Sequence, residues 1–125
     1  AERDTEVILR EYLGKLPPSI MHCYSYSKES AREFVQMDYY LGIGGVVTFK
    51  NAKKLVEAVE DTPLSKIVLE TDCPYLSPEP NRGKRNSSLN LPYIVEKIAQ
   101  IKNVAPEEVI EVTTSNAKEL YGIPI

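Results

Sequence analysis

Apolar positions recur along this chain in two alternating rhythms, one spaced for helices and one compact enough for buried strands. Thr5 to Leu13 places Val7, Ile8, Leu9 and Tyr12 in a short helical pattern that Gly14 and the Pro17-Pro18 pair end. Ser19 to Tyr24 is an apolar run after that breaker and reads as a strand. Lys28 to Met37 returns to helical spacing, with Ser27 suited to the N-cap and Ala31, Phe34 and Val35 on one face. Tyr39 to Val47 reads as a second strand, closing in Gly42, Gly44 and Gly45. Asn51 to Glu60 sets Ala52, Leu55, Val56 and Val59 at helical intervals, and Lys66 to Asp72 reads as a third strand. A long aperiodic loop, Cys73 to Asn90, precedes a terminal helical layer. Pro92 suits a first turn with Ile94, Val95, Ile98 and Ile101 inward, Pro106-Glu107-Glu108 opens another helix, and a short last helix ends at Gly122.

Strands alternating with helices of this length predict βαβ units and a parallel sheet. Three strands against about six helices is a lopsided ratio for a closed α/β fold. The chain has 125 residues, ordinary for one domain but half of the roughly 250 that a complete (β/α)8 barrel needs. Its 42% hydrophobic and 26% charged residues allow a buried core, while 6 Gly, 9 Pro and 2 Cys exclude collagen, disorder and a disulfide scaffold. A net charge of −3 provides no general field for nucleic acid or membrane. No apolar run approaches the roughly 18 residues of a membrane span, and the first residues do not form a signal peptide. The absence of an initiator Met indicates a processed or cut chain, and the sparse cysteines suit a reducing cytoplasm.

Chemistry concentrates at the ends of the expected strands, where parallel α/β sheets carry their sites. His22, the only histidine, falls near the end of the first; a buried core role and a ligand role both fit it. Glu70 and Asp72 alternate onto one face of the third, and two buried carboxylates call for a cation or a basic partner; a helix-capping Asp72 is the alternative. Cys23 and Cys73 follow His22 and Asp72 directly. On a regular strand each would point away from its neighbour, which makes both small buried residues behind the site. Arg82, Lys84 and Arg85 form a positive patch on a Gly-containing loop, suited to phosphate or to a solvated turn. Gly42-Ile43-Gly44-Gly45 lacks the helix start that a dinucleotide fingerprint needs. The tyrosines are dispersed, not interleaved with basic residues, so no base-stacking platform is expected.

Taken in order, these motifs resemble the TatD-type metal-dependent deoxyribonucleases. Met21-His22-Cys23-Tyr24-Ser25 is similar to that family's His-Cys-Phe-Ser segment, and Gly42 to Asn51 to its next strand and turn. Glu70-Thr71-Asp72-Cys73-Pro74-Tyr75-Leu76 matches its Glu-Thr-Asp-x-Pro-Tyr-Leu signature, Arg82 to Asn86 its basic loop, and Thr113 to Gly122 its closing helix. The resemblance implies an α/β fold of parallel βα units forming the C-terminal part, about three strands plus helices, of a (β/α)8 TIM-like barrel over residues 1–125. It implies hydrolysis of DNA phosphodiesters with divalent Mg, Mn or Zn. His22 and Asp72 would bind metal, Asp72 would also act on the attacking water, and Glu70 would stand behind them. Arg82, Lys84 and Arg85 would hold phosphate. The family's His-x-His, its metal-binding Glu and the His of the strand before His22 have no counterpart here. Two ligands fall short of the usual three, so the chain is expected to be inactive without an N-terminal half or another chain supplying it. A non-catalytic phosphate- or protein-binding α/β module is the alternative, and a pair of identical chains would still lack strands for a closed barrel.

Overall fold

Residues 1–124 are described by a computed structural model, with elements in the order α1 (Glu2–Glu11), β1 (Ser19–Met21), α2 (Lys28–Gln36), β2 (Tyr39–Ile43), α3 (Lys53–Asp61), β3 (Ile67–Leu69), α4 (Leu91–Lys102) and α5 (Pro106–Tyr121). The strands form one parallel sheet in chain order, β1-β2-β3, with Met21 beside Leu41 and Leu41 beside Ile67. Short 3-10 turns at Gly45–Thr48, Leu64–Lys66 and Ser88–Asn90 connect the longer elements. Among the described residues there are five α-helices, since the final segment is a single helix from Pro106 to Tyr121 where two were expected.

Strand alternation gives the sheet two unlike faces. Tyr39, Leu41, Ile43 and Ile67 enter the main core with Phe34, Val59, Ile94, Ile98 and Val109, most of them fully buried. Each large side chain buried in this way contributes about 1.5–3 kcal/mol relative to exposure. Ile20, Tyr40, Gly42 and Val68 alternate onto the opposite face, which leads at the strand ends toward His22 and Glu70.

Helix ends follow their local chemistry. Ser27 caps α2 by accepting the Ser30 N–H at 3.2 Å, and its own N–H and hydroxyl donate to Glu2 of α1 at 3.0 and 2.6 Å. Asn103 and Gly122 end α4 and α5 in the left-handed conformation at φ 54° and 63°. Asn116 is buried because its amide donates to Leu64 O and Ile67 O at 2.9 and 2.8 Å, pinning α5 to the start of β3.

Two expectations change. All three strands are shorter than their apolar runs: β1 ends before His22, β2 before the turn at Gly45, and β3 before Glu70. In α1 the buried residue is Glu6, bonded to the Ser30 hydroxyl, while Val7, Ile8 and Tyr12 are about half exposed. The apolar pattern of that helix marks a face turned away from this sheet. No helix among the described residues is long and apolar enough to cross a membrane.

Candidate active site

The carboxyl ends of β1 and β3 meet across Gly42 of β2. His22 follows β1 directly and Glu70 follows β3, its N–H donating to Ile43 O at 3.1 Å. The Glu70 side chain crosses above Gly42, where a Cβ would collide with Oε2, and passes Gly44 as well. These glycines are therefore the space that the carboxylate occupies. Glu70 Oε2 lies 3.4 Å from Nε2 of the exposed His22, near enough for an ion pair. The Glu70 side chain is only 8% exposed, and neither of its oxygens has a hydrogen-bond partner. Burial pushes its carboxyl above the ordinary value; His22 offsets part of that rise, and the Asp72 charge adds to it.

Asp72 is reached through Cys23. The Cys23 thiol donates to Asp72 Oδ2 at 3.2 Å, joining the segments that leave β1 and β3. This corrects the expectation that both cysteines lie buried behind the site. Cys23 takes φ 50°, so the alternation that would turn it from the site has already broken, and Cys73 is exposed with its sulfur 3.0 Å from the Thr71 hydroxyl. Burial, with the Asp72 carboxylate second, pushes the Cys23 thiol up to about 11, so it remains a protonated donor.

The basic loop folds back over the segment that carries Asp72. Tyr75 N–H donates to Asp72 O at 2.9 Å, Asn86 N–H to Pro74 O at 2.9 Å, and the Asn86 amide to Tyr75 O at 2.8 Å. Asn90 donates to Asn86 and Asn81 to Asn90, at 3.0 and 3.1 Å, while the Ser77 hydroxyl donates to Lys84 O at 2.8 Å. This asparagine chain locks the loop and was missed in the sequence; three Asn in a Gly-containing turn region were the available signal. Arg82 lies over the Phe49 ring at 3.8 Å, and with Lys84, Tyr75 and Leu76 it lines an open pocket of about 430 Å³. Arg85 is exposed and does not line it. Although the tyrosines are dispersed along the chain, folding places Tyr75 against the basic loop.

A divalent cation matches the site in donor type: an imidazole nitrogen, carboxylate oxygens and, at Glu70, buried oxygens without a hydrogen bond, one of them 3.4 Å from His22 Nε2. It matches less well in number. Among the described residues no three His, Cys, Asp or Glu side chains gather into a ligand set.

A parallel sheet with acidic and imidazole groups at the carboxyl ends of its strands and a cationic loop beside them is arranged as in the face where (β/α)8 barrels carry their sites. Residues 1–122 match the TatD related DNase family, and the chain belongs to that family. It is 46% identical over 123 residues to the uncharacterized metal-dependent hydrolase YabD of Bacillus subtilis, covering 98% of this chain and 48% of that protein. It is 42% identical to the uncharacterized metal-dependent hydrolase TatD of Mycobacterium tuberculosis, covering 98% of this chain and 46% of that protein. The crystal structure of the TatD homolog YJJV from Escherichia coli superposes with a TM-score of 0.88 at 23% identity, covering 98% of this chain and 47% of that one. The chain thus spans about half the length of the relatives it matches, and its three-stranded sheet corresponds to part of a (β/α)8 barrel.

Proposed function

We propose that this chain supplies part of the active site of a metal-dependent hydrolase that cleaves phosphodiester bonds in DNA. The observation that carries the reading is the pairing of His22 with Glu70 at the ends of β1 and β3, with Asp72 tied to the segment after β1 by the Cys23 thiol and followed by a loop bearing Arg82, Lys84 and Arg85. The names of the relatives, metal-dependent hydrolases, support the reaction class. His22 and Asp72 would hold Mg, Mn or Zn, which supplies a concentrated positive charge and lowers the pKa of nearby water. Asp72, oriented by Cys23, would position the attacking water and accept its proton. Glu70 would fix the His22 ring, and the cations would offset charge building on the phosphate oxygens.

The shortage of ligands among the described residues supports a further part of the reading: catalysis needs an N-terminal half of the barrel, on the same polypeptide or on another chain. The same shortage favours a second reading, a non-catalytic module that binds phosphate through its basic loop. One experiment separates them. The chain is mixed with the N-terminal half of the Bacillus subtilis relative, and Mn²⁺ binding and cleavage of single-stranded DNA are followed. Tight metal binding and cleavage are expected only in the mixture. Cleavage should vanish in Asp72→Asn and fall by about 10–100-fold in Glu70→Gln. Cleavage by the chain alone would refute the need for a second half. DNA binding without metal, and no cleavage in the mixture, would favour the module.

A further inference from the structure

We infer that the pocket between Tyr75 and the Phe49–Arg82 pair is a subsite for an unpaired nucleobase, filled by the nucleotide next to the phosphate under attack. This rests on the nuclease reading for its place in the reaction, and on the geometry of the loop for the ligand. Tyr75 is 74% exposed, unusual for a ring that a rigid loop could have folded inward. Its backbone is fixed from both sides, by Asp72 O on its N–H and by the Asn86 amide on its carbonyl. Leu76, at φ 53°, stays 44% exposed along the same wall, while its carbonyl packs so closely on Gly45 that a Cβ there would collide with it. The loop thus spends backbone hydrogen bonds and a left-handed residue on holding an aromatic ring and an aliphatic side chain in water.

The chemistry of the other wall selects the occupant. Arg82 lies over Phe49 at 3.8 Å, which fixes its guanidinium plane before any ligand arrives. Lys84, on the same pocket, brings a mobile positive charge. A ligand matched to a planar aromatic wall, a stacked guanidinium and an ammonium is itself planar on one side and anionic on the other. A nucleotide in a single strand has that form, and stacking accepts any base, since each has a π face. The volume, about 430 Å³, is that of a small-ligand cleft. The Tyr75 N–H donates to Asp72 O at 2.9 Å, so the wall of the pocket starts directly from the segment that carries the carboxylate.

The test compares two fluorescently labelled strands of equal length and phosphate count, an oligothymidylate and its abasic counterpart, binding to the 125-residue chain. The base-bearing strand is expected to bind about tenfold more tightly. Tyr75→Ala should erase that difference without altering the salt dependence, and Tyr75→Phe should restore it; because the ring is exposed, neither change threatens the fold. Lys84→Ala should weaken both strands alike and flatten the salt dependence. Equal binding of the two strands by the unaltered chain, binding of neither, or equal weakening of both in Tyr75→Ala would overturn the subsite. Failure of the nuclease reading shows up separately, as loss of cleavage in the two-part mixture while the base preference persists. Cleavage with no base preference would remove the subsite and leave that reading standing.

Discussion

At Gly42 the site depends on a side chain that is missing. Glu70 lies across the space where a Cβ would stand, and it is this position that brings Oε2 to His22. Gly42→Ala should therefore displace the carboxylate and cost about 1–3 kcal/mol of stability in a urea titration, the usual penalty for overpacking. An unchanged midpoint would show that Glu70 can move aside freely. That His22 and Glu70 stand at strand ends could be read from the sequence, because each follows a compact apolar run. Cys23 could not: its role depends on one backbone angle, φ 50°, that no side-chain pattern announces. Tyr75 was hidden for another reason. Nearness to Lys84 along the chain is slight, and it takes the hydrogen bonds of Asn86 to Tyr75 and Pro74 and of Ser77 to Lys84 to bring the two together.

Among elements, the helices were legible and the strand ends were not. Helical spacing, Ser27 as a cap, and Pro92 and Pro106 in first turns reappear with small shifts. Strand lengths depend on where ladder bonds cease, and an apolar run continues past that point when the next residues turn inward, as Tyr24 does into the core. The contact between α1 and α2 gives a pH dependence. Hydrogen bonds from the Ser27 side chain hold the Glu2 carboxyl near 2, below its ordinary 4.5. A carboxyl depressed in the folded state stabilises the fold above its unfolded value, and the contribution disappears as pH falls from about 4.5 toward 2. The urea midpoint of the chain should drop through that window more steeply than that of Glu2→Gln. Parallel curves would show that the clasp contributes nothing.

For the whole molecule, what remains uncovered is as informative as the core. Among the described residues β1 and β3 each have one unpaired edge, and Val7, Ile8, Leu13, Leu16, Ile110 and Tyr121 are about half exposed or more. Open parallel edges and apolar surface favour association. The chain should sediment as concentration-dependent oligomers that shrink when the complementary half of a relative is added; a single 14.1 kDa species at every concentration would refute this. Length alone suggested an ordinary domain, and the sheet adds to that: its core closes on one face, while the other leads to strand ends where no three His, Cys, Asp or Glu side chains gather among the described residues. The chain-order sheet also bears on synthesis. Each strand pairs with the one made before it, so the pairings can form in the order in which the strands leave the ribosome. The contact between Cys23 and Asp72 is different, spanning 49 residues and both strand pairings. It can close only after β1 and β3 have docked on β2, which makes the arrangement of the acidic centre a late event in folding.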